Sequence, residues 1–392
     1  MNLVVPFGFY GAGNIGDEAT LKGFARLLTL NDRSAHVSVA SRNPAHCARV
    51  EPAFGYFSPV GRDPRRYWAK FRASANAVVG GTPIMDVLGD WPLCELSPLV
   101  QAMDRWKTPM TFIGVGVEAL RSPRSRQIVA NEISPRIKHW TVRSERDRER
   151  LITFGISAEA VTTTADLAWL IEPAAPGFGL ARLKEWGIEF RGPLIGVNLV
   201  NENSVFDERP DLAETLASAL DGFVENMGAE ILFLSNEVRE DSTFDTAAAR
   251  RVIARMKHPN RTVLAPNHYF SPPQMMSVIG CCCLTVSMRY HFCLFSALQQ
   301  VPFIAIERTD KISDLCWDLE WPARVKPLEL AADEVLEHGM QLVESKAEFD
   351  VYLRQIRGIM RDRSLNNIIA FRALETRPPK VQREPPAELA MR

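Results

Sequence analysis

An arginine, a histidine and a lysine near residue 300 are the side chains in this sequence that are best suited to binding and catalysis. Arg289 and His291 follow the apolar run 282–286, and Lys311 follows a second apolar run at residues 302–306. Such runs predict buried strands of a parallel sheet, whose carboxyl edge is where ligands bind. Two fixed cations and a titratable imidazole at one edge favour an anionic substrate that needs a proton. The plainer alternative is a solvated arginine, a packed histidine and a surface lysine.

The segment 11–17 near the N-terminus, Gly-Ala-Gly-Asn-Ile-Gly-Asp, is a second feature of interest. Its glycine spacing matches the dinucleotide fingerprint, and it lies between a predicted strand and a predicted helix. A pyrophosphate at the helix start would meet the carboxylate of Asp17, which is electrostatically unfavourable. The second predicted strand also ends at residues 40–42 without the acidic residue that holds a ribose. Arg42 would suit a phosphorylated ribose, so an NADP-dependent enzyme remains an alternative.

Asn14 and Asp17 in this segment have two interpretations. Either both side chains face the ligand cleft, with Asp17 acting as a base, or Asp17 is simply the N-cap of the helix. Two other predicted strand ends add residues to the same edge. Gly81 follows an apolar strand, where a small residue lets a ligand approach the backbone. Arg143 directly follows another strand and is a third cation at this edge.

Both halves of the chain alternate short apolar runs with amphipathic stretches. This alternation predicts right-handed crossovers and parallel sheets, because each helix must return the chain to the same end of its sheet. We therefore predict an α/β protein with two doubly wound, Rossmann-like domains that face a cleft. The predicted strands are residues 3–7, 36–40, 77–80, 110–115, 139–142, 194–199, 231–234, 263–265, 284–286 and 303–306, and the predicted helices include 17–28, 121–137, 144–154 and 211–227.

The domain division follows from a break in this alternation. Residues 173–177, Pro-Ala-Ala-Pro-Gly, predict the start of a linker. The first domain then spans residues 1–172, the linker region 173–192, and the second domain 193–375. The proline-rich tail at residues 376–392 contains few large apolar side chains, so we expect it to be disordered.

The composition is that of an ordinary soluble globular protein of 392 residues. Lys and Arg number 46 against 47 Asp and Glu, for a net charge of -1, so the chain lacks the basic field of a nucleic-acid-binding protein. No apolar run approaches the roughly 20 residues that span a bilayer, and no secretory leader is recognised. The seven cysteines contain no Cys-x-x-Cys pair. We therefore predict a reduced, cytoplasmic protein without a metal site.

Several short segments of this sequence, taken in order, resemble the signatures of a known family, the polysaccharide pyruvyl transferases. Residues 8–18 are similar to its N-terminal signature, and residues 288–291 followed by Lys311 are similar to its C-terminal signature. The resemblance implies two Rossmann-like domains of the GT-B type, phosphoenolpyruvate as donor, and a sugar of a bacterial surface polysaccharide as acceptor. The implied product is a cyclic pyruvate ketal. The middle blocks of the family match residues 80–86, 114–116 and 142–143.

The resemblance also implies roles for individual residues. The Asp, Arg, His and Lys of the family match Asp17, Arg143, His291 and Lys311. An imidazole can donate the proton that the enol methylene requires, and a carboxylate can accept one from a sugar hydroxyl. A guanidinium clamps carboxylates and phosphates, whereas an ammonium acts as a point charge. We predict His291 and Asp17 as catalytic residues. The predicted substrate-binding residues are Arg143, Arg289, Lys311, Asn14, Gly81 and Tyr290.

The leading hypothesis is a cytoplasmic transferase that moves the enolpyruvyl group of phosphoenolpyruvate onto two hydroxyls of a polysaccharide sugar or its precursor. It requires no cofactor and no metal. A lipid-linked oligosaccharide is one form of acceptor, and it would place the enzyme at the inner membrane face; a homo-oligomer is left open. The alternatives are a GT-B-like glycosyltransferase that uses a nucleotide sugar, the NADP-dependent oxidoreductase, and a non-catalytic binding protein. Residues 56–104 match the family only at their Gly-Gly block, so the acceptor sugar also stays open.

Overall fold

The computed structural model describes residues 1–58, 74–201, 203–238 and 244–375. These residues form two parallel sheets flanked by helices, one sheet in each half of the chain. The prediction of an α/β protein with two Rossmann-like domains facing a cleft is confirmed. The tail at residues 376–392, for which we predicted disorder, lies outside the described residues. No described helix is long and apolar enough to cross a membrane.

The strands of the first sheet are β1 Asn2–Val5, β2 His36–Ala40, β3 Gly55–Phe57, β4 Asn76–Val79, β5 Met110–Val115, β6 Ile137–Val142 and β7 Val161–Thr163. They pair in parallel in the order β3-β2-β1-β4-β5-β6-β7. The order changes direction between β1 and β4, and ligands bind at this point in open α/β sheets. The glycine-rich segment 8–17 follows β1, and Gly80 and Gly81 follow β4. Both sequence features therefore lie at the switch point.

The strands of the second sheet are β8 Leu194–Asn198, β9 Glu230–Phe233, β10 Thr262–Leu264, β11 Leu284–Ser287, β12 Phe303–Ile306 and β13 Arg324–Val325. They also pair in parallel, in the order β10-β9-β8-β11-β12-β13. The switch point here lies between β8 and β11. Residues 288–291 follow β11 directly, so the second sheet presents its chemistry at the equivalent position.

Helices begin at both switch points, and their first turns point at the cleft. In the first domain the described helices are α1 Ile15–Leu30, α2 Pro44–Val50, α3 Leu93–Arg105, α4 Pro123–Gln127 and α5 Glu145–Thr153. Those that follow are α6 Pro176–Glu185, α7 Asn203–Glu208, α8 Leu212–Met227, α9 Asp245–Ile253, α10 Pro272–Ile279, α11 Tyr290–Leu298, α12 Asp310–Asp318, α13 Ala332–Glu344, α14 Lys346–Leu365 and α15 Ile369–Glu375. The N-terminal turns of α1 and α11 both line the site described below.

The chain returns to the first domain at its last described helix, which differs from the predicted division at residue 375. Ala370, Phe371 and Leu374 of α15 are buried in the apolar cluster that contains Leu3 and Phe24. The rings of Phe24 and Phe371 stack with centroids 5.9 Å apart. Amphipathic spacing shows that a helix covers an apolar surface, but it does not show which sheet provides that surface.

The predicted linker region 173–192 also folds differently from the expectation. It contains α6, which packs against α10 of the second domain. Gly179 makes this contact close, because a Cβ atom there would lie 2.2 Å from the carbonyl oxygen of Ser277. The second domain therefore begins with α6, and the connection between the domains is shorter than predicted.

Candidate active site

The carboxyl edges of the two sheets meet at a cleft with a volume of about 240 Å³. The loops after β1, β4 and β5 form one wall, and the loops after β9, β11 and β12 form the other. This is where doubly wound folds bind their ligands. The cleft is lined by the predicted residues Asn14, Asp17, Gly81, Arg289, His291 and Lys311, and also by the charged residues Glu118, Glu237 and Arg308.

Each glycine of the dinucleotide-like segment makes room for another part of the protein. A Cβ atom on Gly13 would lie 2.1 Å from the carbonyl oxygen of Val238, and one on Gly16 would lie 2.2 Å from Nδ1 of His291. A Cβ atom on Gly11 would lie 2.6 Å from the backbone of the loop after β2. Such separations are far below van der Waals contact. The close approaches that these glycines allow are therefore made by protein atoms.

The same segment joins the two domains through its backbone. The N–H of Ile15 donates to the carbonyl of Asn236 at 3.0 Å, and the N–H of Val238 donates to the carbonyl of Gly13 at 2.9 Å. Ile15 is also part of the apolar cluster that forms the core of the second domain. The first turn of α1 is thus held at a fixed position relative to the loops of the second domain.

Asp17 lies in the first turn of α1 but does not cap it. The N-cap is Asn14, whose side chain accepts a hydrogen bond from the N–H of Gly16 at 2.9 Å. Burial raises the pKa of Asp17 to about 6, although nearby His291 and Lys311 oppose this shift. The N-cap alternative for Asp17 is therefore wrong. Its carboxyl group lines the cleft and titrates where it can exchange a proton near neutral pH.

His291 lies in the first turn of α11, between α1 and the loop after β7. Its Nε2 is buried and lies 3.7 Å from Oδ2 of Asp166. Asp166 also accepts a hydrogen bond from the N–H of Ala168 at 2.9 Å. Burial alone would raise the pKa of Asp166, but the neighbouring His291 and Arg143 outweigh it and lower that pKa below its usual value. His291 therefore faces a carboxylate that stays ionised.

Arg143 and Tyr290 do not line the cleft, in contrast to their predicted contact with substrate. Arg143 is buried behind His291, with its guanidinium over the ring of Tyr290 at 4.2 Å from the centroid. The same guanidinium lies 3.5 Å from Asp166 and 3.9 Å from Asp147. A strand-end position therefore brought the arginine to the correct edge, but its charge is directed at two buried carboxylates.

Two predicted cations do face the cleft from the second domain. Nη2 of Arg289 donates to Glu237 at 3.0 Å and to Asp245 at 2.7 Å, which fixes the guanidinium in place. Nζ of Lys311 lies 3.8 Å from Glu118 of the first domain. Burial lowers the pKa of Lys311, and Glu118 partly counteracts this. These contacts orient both cations toward the space between the domains.

Sequence reasoning missed four charged residues of the site, which are Glu118, Asp166, Glu237 and Arg308. Arg308 follows β12, in the loop from which Lys311 was chosen, and the strand-end rule applied equally to it. Glu118 and Glu237 lie a few residues beyond β5 and β9, where the same rule could have found them. Asp166 follows β7, a strand that was not predicted. The sequence does not show that Glu237 meets Arg289 or that Asp166 meets His291.

The outer end of the cleft is apolar and belongs to the first domain. The rings of Phe9 and Trp91 meet edge to face with centroids 5.9 Å apart, and the exposed side chain of Leu88 extends this surface. Arg42, which we considered for a phosphorylated ribose, instead lies over the ring of Phe9 at 4.3 Å from its centroid. Aromatic faces of this kind suit the apolar side of a sugar ring.

Comparison with known proteins places the chain in a sequence family and in a fold group. The family model described as polysaccharide pyruvyl transferase matches residues 14–310. No curated protein matches the chain. The Anabaena protein HepE, solved with UDP and glucose, is similar in structure with a TM-score of 0.62 and 13% identity, over 95% of this chain and 98% of HepE.

Two further solved structures are similar over almost their whole length. UDP-GlcNAc 2-epimerase from Neisseria meningitidis bound to UDP-GlcNAc gives a TM-score of 0.61 at 10% identity, over 95% of this chain and 99% of the epimerase. A glycosyltransferase from Rickettsia africae gives a TM-score of 0.63 at 9% identity, over 96% and 99% of the two chains. At such identities the likeness shows the fold alone, which is the two-domain GT-B fold of these glycosyltransferases and epimerases.

Proposed function

Because the chain belongs to the polysaccharide pyruvyl transferase family and is therefore a transferase, we propose that phosphoenolpyruvate is its donor. The enzyme would move the enolpyruvyl group onto two hydroxyls of one sugar, forming a cyclic ketal and releasing phosphate. The observation that carries this proposal is the pairing of second-domain cations with the proton-exchanging groups Asp17 and His291 in one cleft. The scheme requires no metal and no cofactor.

The donor's carboxylate and phosphate are proposed to bind the cations of the second domain. Arg289 and Arg308 present guanidinium groups, which match the planar geometry of carboxylates and the oxygens of phosphate. Lys311 adds a point charge from the first turn of α12. Arg143 is reassigned in this scheme. It supports Asp166 and Tyr290 from behind rather than touching the donor.

The proton transfers can be balanced with His291 and Asp17 alone. The imidazolium of His291 gives its proton to the methylene carbon of the donor, which leaves an oxocarbenium-like centre. The first sugar hydroxyl adds to this carbon and gives its proton to Asp17, which passes it to the departing phosphate. The second hydroxyl then adds and returns a proton to His291. The proton of the second hydroxyl thus restores the proton that His291 gave to the methyl group. The proton of the first hydroxyl leaves with phosphate.

The acceptor is proposed to enter from the first-domain side, where Phe9 and Trp91 form the apolar end of the cleft. A sugar of a bacterial surface polysaccharide, or of its precursor, would pack its ring against these aromatic side chains. A lipid-linked oligosaccharide remains one form of this acceptor. Cytoplasmic location, attachment at the inner membrane face and self-association stay predictions.

A nucleotide-sugar glycosyltransferase is the second candidate, and one observation favours it. A larger cleft of about 830 Å³ adjoins the first and shares Leu88, Arg308 and Thr309 with it. It extends along the second domain past Lys326 and Leu328. That volume is within the range that accommodates a ligand of nucleotide-sugar size. HepE, a similar structure, was solved with UDP and glucose.

Ligand binding by the full-length protein separates these candidates. The melting temperature is measured with phosphoenolpyruvate, with a panel of UDP- and GDP-sugars, and with NADP, because a ligand of the native state raises it. The proposal expects a shift with phosphoenolpyruvate alone. Phosphate release and the mass of the ketal are then followed with a panel of aryl glycosides. A shift only with a nucleotide sugar, or micromolar NADP binding by calorimetry, would replace the proposed donor.

A further inference from the structure

Asp166 connects the two domains at the proposed proton donor. It lies in the loop after β7 of the first domain and is 2% exposed. Its Oδ1 accepts the N–H of Ala168 at 2.9 Å. Its Oδ2 lies 3.7 Å from Nε2 of His291 and 3.5 Å from Nη1 of Arg143. No part of the proton scheme above uses this carboxylate.

Two neighbours, Gly16 and Asp166, hold the imidazole of His291 in place. Gly16 of α1 packs so closely on the Nδ1 side of the ring that a Cβ atom there would lie 2.2 Å from Nδ1. Nε2 is buried against Asp166, while the His291 side chain keeps 18% of its surface exposed and lines the cleft. Because Gly16 has no Cβ atom to cover Nδ1, and because Nε2 is buried, Nδ1 is the ring nitrogen left for a ligand.

We propose that Asp166 is a positioning residue that keeps a proton on Nε2 of His291, so that Nδ1 exchanges its proton with the substrate. At 3.7 Å the carboxylate is at ion-pair distance from Nε2, so it favours a proton on that nitrogen and stabilises the imidazolium that donor protonation requires. Nucleophile–base systems use a third group in the same way to orient the base. The kinetic test of this inference rests on the proposed function, whereas its spectroscopic test does not.

The surroundings show why Asp166 can keep its charge. Arg143 faces it from the end of β6, Tyr290 and His291 face it from α11, and Tyr10 is the neighbouring titratable group from the loop after β1. Asp17 of α1 is the other carboxylate near the imidazole. The pKa of Asp166 is low, as described above, so Asp166 remains ionised throughout the range in which an imidazole titrates.

A matched control lies on the other side of the same arginine. Asp147 is as buried as Asp166 and lies 3.9 Å from Arg143, but no contact joins it to His291 in the described structure. It accepts hydrogen bonds from the N–H of Val117 and the hydroxyl of Ser144, both at 2.6 Å. Asp147→Asn therefore disturbs Arg143 and the buried network without altering the imidazole.

The kinetic test compares Asp166→Asn with Asp147→Asn in the full-length enzyme. For Asp166→Asn, we expect kcat to fall about tenfold or more, with KM for phosphoenolpyruvate within about threefold. The descending limb of the pH–rate profile should move down by about one pH unit, because the imidazolium loses an opposite charge. Asp147→Asn should lower the melting temperature and keep the wild-type pH profile. Equal losses in both variants, with unchanged profiles, would show that Asp166 is merely structural.

The spectroscopic test needs no substrate and no folded variant of Asp166. Wild-type protein labelled with ¹⁵N-histidine is compared with His291→Gln to identify the His291 ring signals by NMR. In the neutral imidazole, we expect the protonated nitrogen to be Nε2. Protonation at Nδ1 would overturn the inference even if phosphoenolpyruvate proves to be the donor. Confirmed Nε2 protonation without pyruvyl transfer would instead leave Asp166 in place and refute the proposed function.

Discussion

The two walls of the cleft differ in the chemistry that they contribute. The second domain supplies His291 and the cations, which are Arg289, Arg308 and Lys311. The first domain supplies Asp17, Glu118 and the aromatic surface around Phe9 and Trp91. An anionic donor therefore fits the second domain, and a neutral sugar that must lose hydroxyl protons fits the first. Under the proposed function, each substrate would therefore bind its own domain, and the reaction would occur where the domains meet.

Each domain contributes a residue whose charge does not fit this division, and the structure explains both. Glu237 is the carboxylate of the second-domain wall, and it fixes the guanidinium of Arg289. Arg143 is a first-domain cation, but its charge is directed at Asp147 and Asp166 behind the cleft. The cations that line the cleft thus come from the second domain, whereas the sequence predicted a first-domain cation, Arg143, among them.

Loss of the imidazole should have the largest effect on this division of labour. In His291→Gln, we expect turnover to fall about 10²-fold or more, because a general acid is removed. Donor affinity should stay within a few fold, since the cations of the second domain remain. Calorimetric titration with phosphoenolpyruvate and measurement of initial rates check both parts. Near-normal turnover would assign the proton transfer to another group.

Removal of the first-domain carboxylate should reduce turnover by about 10- to 100-fold in Asp17→Asn. Because burial raises the pKa of Asp17 to about 6, wild-type activity should fall as the pH drops through about 6. Rates measured between pH 5 and pH 8 by roughly half-unit steps would show this limb, and the variant should lack it.

Asp17→Asn, which should lower turnover, should not lower stability at alkaline pH. A carboxyl whose pKa is raised by folding contributes stability below its unfolded pKa and loses it as pH rises through about 6. The charge-free Asp17→Asn side chain avoids this loss, so its melting temperature at pH 8 should equal or exceed that of wild type. A lower melting temperature with normal turnover would show that Asp17 serves folding only.

Substitution of the cleft cations should weaken donor binding by about 30-fold each, equivalent to about 2 kcal/mol. The variants are Arg289→Ala, Arg308→Ala and Lys311→Ala, and the measurement is calorimetric titration with phosphoenolpyruvate. Arg143→Ala is the first-domain counterpart. It should leave donor affinity within about threefold but lower stability, because two buried carboxylates lose their partner. A large loss of affinity in Arg143→Ala alone would reverse the assignment of donor to domain.

The smallest expected effect concerns the backbone contact that holds the two walls together. Gly13→Ala combines a positive φ of 84° with a clash against Val238, whereas Gly187→Ala has a similar φ of 81° and open space around its Cβ position. Gly187→Ala should cost about 1 kcal/mol of unfolding free energy, and Gly13→Ala should cost more by about 1–3 kcal/mol. Denaturant titration of both variants measures the difference. Equal losses of unfolding free energy in the two variants would mean that the backbone around Val238 moves to accommodate the added methyl group.

The sequence predicted the fold and most of the cleft because both depend on local patterns. Apolar runs located ten of the thirteen described strands but missed the short β3, β7 and β13. Polar residues just beyond the predicted strands identified Asp17, Arg289, His291 and Lys311. Asp166 was missed because its importance depends on contact with α11, which is distant in sequence. Arg143 was found but misplaced, since a strand-end position does not determine which way a long side chain points. The order of strands and the partner of α15 were equally beyond local patterns.

The packing of α15 on the first sheet has a consequence for synthesis of the chain on the ribosome. Leu3 and Phe24 are made before the second domain, whereas Phe371, which packs in the same apolar cluster, is made after the strands of the second domain. Domains generally fold as units as they are completed. The domain that is translated first is therefore the one that is closed last, after the second domain has been translated in full.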